Sequence, residues 1–161
     1  MKSHPSLYER DFYAWTQQQA HALDQHQAEL LDWENLAQEL GLMGIREKNE
    51  IKSRLVVLLT HLLKWKYQSS KRSVSWFTTI ANQRDDLQDW LNENPGLRQV
   101  IPDLLAKAYR NARREAAAET GLGIKTFPED CDYELTQVLD AMFICDTTAD
   151  FEWAINRGQG S

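Results

Sequence analysis

Apolar residues recur along most of this chain at the spacing of an α-helix, and no stretch alternates long enough to predict a strand. Tyr8, Phe12, Trp15, Gln19 and Ala22 share one helical face, predicting a first helix that ends near His26 and carries only a thin apolar stripe. Asp32 is placed to cap a second, short helix with Trp33, Leu36, Ala37 and Leu40 on its apolar side, docked by its tryptophan. Gly41 and Gly44 are expected to end or kink it.

The strongest periodicity lies in residues 46–68, where Ile51, Leu55, Leu58, Leu62 and Trp65 are joined by an adjoining stripe of Val56, Leu59, Leu63 and Tyr67. At 100° per residue the two stripes cover roughly 200° of the wheel, more than a surface helix needs. This segment is therefore expected to be the central helix. Ser73 or Ser75 is expected to cap a fourth helix bearing Trp76, Phe77, Ile80, Leu87, Trp90 and Leu91, which Asn94-Pro95-Gly96 stops. A fifth should span residues 97–120, with Pro102 tolerated only near its start and Gly121 and Gly123 closing it. Its Ala108, Ala112 and Ala116 make a seam that lets a neighbouring helix approach. A short sixth is expected over residues 133–143, and the tail from Asn156 is expected to fray.

The predicted fold is thus all-α, a bundle of about four to five helices around one long central helix. With 161 residues and no repeat or linker-like stretch, one domain is expected, ordered from about Leu7 to about Trp153. The start of the chain lacks the apolar core of a signal peptide, and the longest aliphatic run, Val56 to Leu59, is far short of a membrane span. A bacterial, cytoplasmic protein that does not meet the membrane is expected, with Cys131 and Cys145 as free thiols.

Charge refines this picture by segment. Residues 1–45 hold 2 basic and 7 acidic side chains, 46–84 hold 9 and 2, 85–114 hold 5 and 5, and 115–161 hold 2 and 10. A basic middle lies between acidic flanks. It is either an anion-binding face or a set of helices whose charges satisfy one another. Bases and aromatics interleave in residues 64–76, so Lys64, Lys66, Lys71 and Arg72 are the candidate anion-binding residues. Because the surrounding field is acidic, tight nucleic-acid binding is not expected.

Several strings carry a family resemblance: Asp11-Phe-Tyr-Ala-Trp15, Asp32-Trp-Glu-Asn-Leu-Ala-Gln-Glu-Leu40, His61-Leu-Leu-Lys-Trp65, Ser75-Trp76, Asn94-Pro95, Glu119-Thr-Gly-Leu122 and Phe127-Pro-Glu with Cys131. Over most of its length the chain resembles the bacterial domain-of-unknown-function family numbered 29, common in cyanobacteria. It departs from that pattern at Gln38 and Gly41, where the family more often has glutamates. The resemblance implies an all-helical bundle and implies no activity.

Chemistry is best sought where polar residues break the apolar pattern. Arg84 falls inside the apolar face of the fourth helix, so its permanently charged guanidinium needs a carboxylate or a row of acceptors. Glu39, Glu115 and Glu119 are the candidate partners. His61, at the rim of the central helix, completes a candidate polar network with them. That network reads either as a small site, with His61 as acid or base and Arg84 as an anion clamp, or as an ion-pair lattice fixing helix register.

No Glu-x-x-His pair, P-loop or dinucleotide fingerprint occurs, and His21 and His26 lie on different helix faces, so no metal and no cofactor is expected. Six tryptophans could stack bases or sugars, but Trp33, Trp65, Trp76 and Trp90 lie on apolar stripes and are expected to be core with the N–H near water. The function expected is a non-enzymatic interaction or regulatory module, with a protein partner or a second copy. Nucleic-acid or anion binding through residues 64–84 is the second reading, and a site built on His61, Arg84 and the glutamates the third.

Overall fold

The computed structural model describes residues 5–143, of which 81% are helical, with no strand among them. Six α-helices follow in chain order: α1 (Leu7–Arg10), α2 (Phe12–Asp24), α3 (Trp33–Tyr67), α4 (Val74–Glu93), α5 (Ile101–Thr120) and α6 (Leu135–Leu139). None is long and apolar enough to cross a membrane. By its internal contacts the chain divides into two compact units, Met1–Arg46 and Glu47–Ser161. Cys145, Trp153 and the expected fraying tail lie outside the described residues.

In the first unit the expected single helix is two. Ser6 and Glu9 form a reciprocal capping box that starts α1. Asp11 leaves helical geometry and takes the Ala14 amide on Oδ1 at 2.9 Å, so α2 begins afresh. Trp15, Gln19 and Ala22 are the buried residues of α2. Asp32 then caps α3, accepting the Asn35 amide at 3.3 Å, as the sequence predicts.

Contrary to expectation, α3 does not stop at Gly41 or Gly44. Glycine weakens a helix by about 1 kcal/mol relative to alanine but does not forbid it. Both glycines keep φ negative, whereas a C-terminal cap needs the left-handed conformation, found here at Gly121 with φ 70°. The expected second and third helices are therefore one.

The second unit holds a continuous apolar core. Ile51, Leu55, Leu58, Leu62 and Trp65 of α3 are fully buried, with Val56, Leu59 and Leu63 beside them, against Ile80, Leu87 and Leu91 of α4 and the alanine seam of α5. Burying one such aliphatic side chain is worth on the order of 1.5–3 kcal/mol, so this stripe is structural. Ser73, not Ser75, caps α4 by accepting the Trp76 amide at 3.2 Å. Residues Pro95–Val100 are a 3-10 helix rather than the first turn of α5. Pro102 has no N–H to return to the Arg98 carbonyl and its ring crowds that carbonyl, so the α ladder starts only at Ile101. α6 is shorter than expected, because Asp140 is already extended.

Candidate functional site

Where α3 passes α5, a line of polar side chains interrupts the core. The Lys64 ammonium lies 2.5 Å from Glu119 Oε2 and 4.6 Å from the centre of the Trp76 ring, so carboxylate and π-face together compensate a side chain only 9% exposed. One turn earlier, Thr60 Oγ1 donates to the Val56 carbonyl at 2.7 Å and reaches Glu115 Oε2 at 3.5 Å. His61 is half-buried, and its Nδ1–H donates to the Val57 carbonyl at 2.8 Å. Burial lowers its pKa below the ordinary histidine value, and the Lys64 charge pushes the same way against the Val57 carbonyl and Glu119. The imidazole is therefore neutral at pH 7, with its acceptor nitrogen Nε2 facing away from that bond.

Arg84 is buried, as its place on the wheel requires, but its partners differ from those expected. Nε donates to the Val138 carbonyl at 2.8 Å, Nη1 to Ala141 at 3.5 Å, and Nη2 to Phe143. These carbonyls lie at and just beyond the C-terminal end of α6. One turn along α4, Gln88 Nε2 donates to the Leu139 carbonyl at 3.0 Å. Arg84 is thus a clasp that fastens residues 138–143 to α4. These bonds stand in place of the expected pairing with Glu39, Glu115 or Glu119: Glu119 takes Lys64, Glu39 takes the Tyr8 hydroxyl at 2.6 Å, and Glu115 lies 3.5 Å from Thr60 Oγ1, whose proton goes to the Val56 carbonyl. Glu39 belongs to the first unit and Arg84 to the second. The cleft beside Arg84 is about 80 Å³, lined by Phe77, Ile80, Ala81, Asp85 and Ala141, with His61 not among them.

The four basic candidates are divided as well. Lys64 is engaged with Glu119, and Arg72 donates to the Trp65 carbonyl at 2.9 Å while lying 5.0 Å from that ring. Lys66 lies 5.7 Å from the Tyr67 ring, and Lys71 is exposed on a 3-10 turn. Two of the four serve the end of α3 itself. Among the described residues no three His, Cys, Asp or Glu side chains gather as metal ligands would.

In the first unit, Gln19 bridges with both ends of its amide, accepting the Asp32 amide at 2.7 Å and donating to the Leu30 carbonyl at 3.3 Å. Asp32 also accepts Trp15 Nε1 at 3.1 Å and Asn35 Nδ2 at 2.8 Å, which hold its carboxyl below the usual range, Asn35 first. Trp15 and Gln19 thus tie α2 to the Asp32 cap of α3.

The feature that sequence reasoning missed is apolar. Of thirteen large apolar side chains left exposed among the described residues, nine lie between Phe12 and Ile45. Trp33 is 65% exposed, which corrects the expectation that it docks into the core, and Leu40 is 66% exposed. Trp90 departs from expectation in the opposite sense, since its Nε1 is buried with no hydrogen-bond partner. All seven residues 40–46 are exposed although they read Leu-Gly-Leu-Met-Gly-Ile-Arg. The signal was present in the sequence: that run is apolar on every side of the wheel, which a helix packed on one face does not require.

Comparison with curated proteins and with solved structures gives no match. The capped Asp11 and Asp32, the Lys64–Glu119 pair and the Phe127 turn are the structural counterparts of the strings that carried the family resemblance. Residues 7–144 match the family described as Domain of unknown function DUF29, and the chain belongs to that family.

Proposed function

We propose that this protein is a non-enzymatic docking module whose working surface is the apolar face of residues 12–45, and that its occupant is an amphipathic helix with a basic flank. The observation carrying the reading is the concentration of Trp33, Leu40 and Met43 on one exposed side of α3, with Ile45 exposed on the other side. Contiguous apolar surface of this kind marks interaction sites, because each Å² removed from water is worth roughly 25 cal/mol. The seven acids and two bases of residues 1–45 call for a basic rim on the occupant. Against the anion-binding reading, Lys64 and Arg72 are already engaged within the second unit. The catalytic reading lacks a shared site, since the cleft of about 80 Å³ beside Arg84 includes neither His61 nor the candidate glutamates, and the cleft of about 380 Å³ lined by Glu115 includes neither His61 nor Arg84. The reading also assigns the module to a bacterial cytoplasm, where the free thiol of Cys131 stays reduced.

Photo-crosslinking tests this reading. A photo-activated phenylalanine analogue in place of Leu40, in cells, should give a discrete adduct that disappears when Trp33→Asp is added. The same analogue in place of exposed Lys107 on α5 serves as control. Equal adduct patterns at the two positions would overturn the reading.

A further inference from the structure

Resting on that reading, we infer that the helix occupying the face is the same stretch of α3, residues 33–50, from a second copy of this chain, packed antiparallel across a two-fold axis.

Three independent features of α3 converge on this occupant. Trp33, Leu36, Leu40 and Met43 are spaced three, four, three, the a/d rhythm of a two-helix seam. At 100° per residue they share one third of the circumference with Ala37 and Gly44. Leu36 is half-buried and the other three are exposed, so the seam lacks a covering partner within the described residues.

The glycines are the second feature. Each costs the helix about 1 kcal/mol relative to alanine. A Cβ added at Gly41 or at Gly44 meets nothing within 4 Å, so the chain's own packing gives no reason for either. A second helix does supply one. Gly44 leaves a notch on the seam, and in an antiparallel pair Leu40 of one copy enters the notch of the other, twice by symmetry.

Charge polarity then selects the orientation. Before the exposed segment come Asp32, Glu34 and Glu39 with no base among residues 32–39; after it, with Arg54 held by Glu50 and Asp86, come Arg46, Lys48 and Lys52 against Glu47. A parallel pair would lay acid on acid. An antiparallel pair lays the acidic end of each helix along the basic end of the other, which is the rim chemistry the docking face calls for.

The test is sedimentation equilibrium of the full chain together with Gly44→Leu. The wild type should be a dimer at about 10 μM, and Gly44→Leu should raise the dissociation constant about tenfold or more by filling the notch. Because the space around Gly44 is open within the chain, the variant should keep the helical circular dichroism of the wild type. Crosslinks from the analogue in place of Leu40 should fall on residues 40–48 of a second copy. A wild type monomeric at about 100 μM, or a dimer indifferent to Gly44→Leu, overturns the self-pairing. If the chain is monomeric and that position crosslinks specifically to a different protein, self-pairing fails and docking survives. If it is monomeric and shows no specific adduct, both fail.

Discussion

Lys64 and Glu119 meet at 2.5 Å with unequal exposure, 9% for the lysine side chain and 48% for the glutamate. The lysine is held in place from the core side by the Trp76 ring. The carboxylate is therefore the lysine's route to compensation rather than an equal partner. Its loss matters more through the ammonium left behind than through the Coulomb energy of the pair.

Glu119→Gln should accordingly destabilise the second unit by about 1–2 kcal/mol, less than a fully buried pair because water reaches the glutamate. Lys64→Met combined with Glu119→Gln should recover most of that loss, since the uncompensated charge is gone and methionine still packs on Trp76. Urea denaturation of the wild type and the two variants measures both steps. A double variant less stable than Glu119→Gln alone would show that the ammonium is compensated without the carboxylate, by the Trp76 ring and water.

A different dependence is expected at Arg84, whose guanidinium bonds to three carbonyls of residues 138–143. Arg84→Ala leaves the buried Val138 carbonyl without its donor, at about 1–3 kcal/mol, and loosens the remainder of the segment. Arg84→Lys should rescue only in part, because one ammonium cannot reproduce a planar fork. Hydrogen exchange distinguishes this from general unfolding: amides of residues 135–143 should lose protection first, and those of α3 last. Uniform loss would show that the clasp is simply part of the core.

How far these features could be read from sequence follows from what each depends on. The buried stripe from Ile51 to Trp65 and the burial of Arg84 depend only on helical period, and both were legible. The ends of α2 and α5 depend on local competition, Asp11 capping in mid-run and Pro102 withholding a hydrogen bond, and residue spacing alone averages over such events. Partner identity was the least legible. Arg84 lies on an apolar stripe whichever acceptors it meets, and nothing in the period of α4 says that the carbonyls of residues 138–143 arrive before a glutamate does. For Trp33 the pattern misled, because an apolar stripe shows that a face should be covered and does not show by what.

Proton linkage offers a test of the His61 environment. Burial and Lys64 depress its pKa in the folded protein below the unfolded value of 6.5. As pH falls through 6.5 the unfolded chain takes a proton that the folded chain resists. Stability is therefore complete above that pH and declines until the folded pKa is also passed. The urea midpoint should drop between about pH 7.5 and about pH 5.5, and His61→Gln should flatten that drop. The variant is needed because His61 is one of four histidines in the chain. A slope unchanged in His61→Gln would mean that the ring ionises in the fold as freely as in the unfolded chain.

The last expectation concerns Gly41, on the edge of the exposed seam of α3. Its φ is negative and a Cβ there meets nothing within 4 Å, so Gly41→Ala introduces neither strain nor a clash. What changes is the unfolded chain, which loses more freedom with glycine than with alanine, and the helix, which gains a better former. Gly41→Ala should stabilise α3 locally by about 0.5–1 kcal/mol, read as slower amide exchange of residues 40–46. The small methyl at the seam edge should leave self-association nearly intact, whereas the leucine at Gly44 fills its centre. Slower exchange with unchanged dimerisation in Gly41→Ala, set against lost dimerisation in Gly44→Leu, separates the intrinsic weakness of this helix from the space a second copy needs. If Gly41→Ala speeds exchange instead, the glycine is answering a constraint within the chain, and the open space around a Cβ no longer shows that the glycines of α3 lack a reason in the chain's own packing.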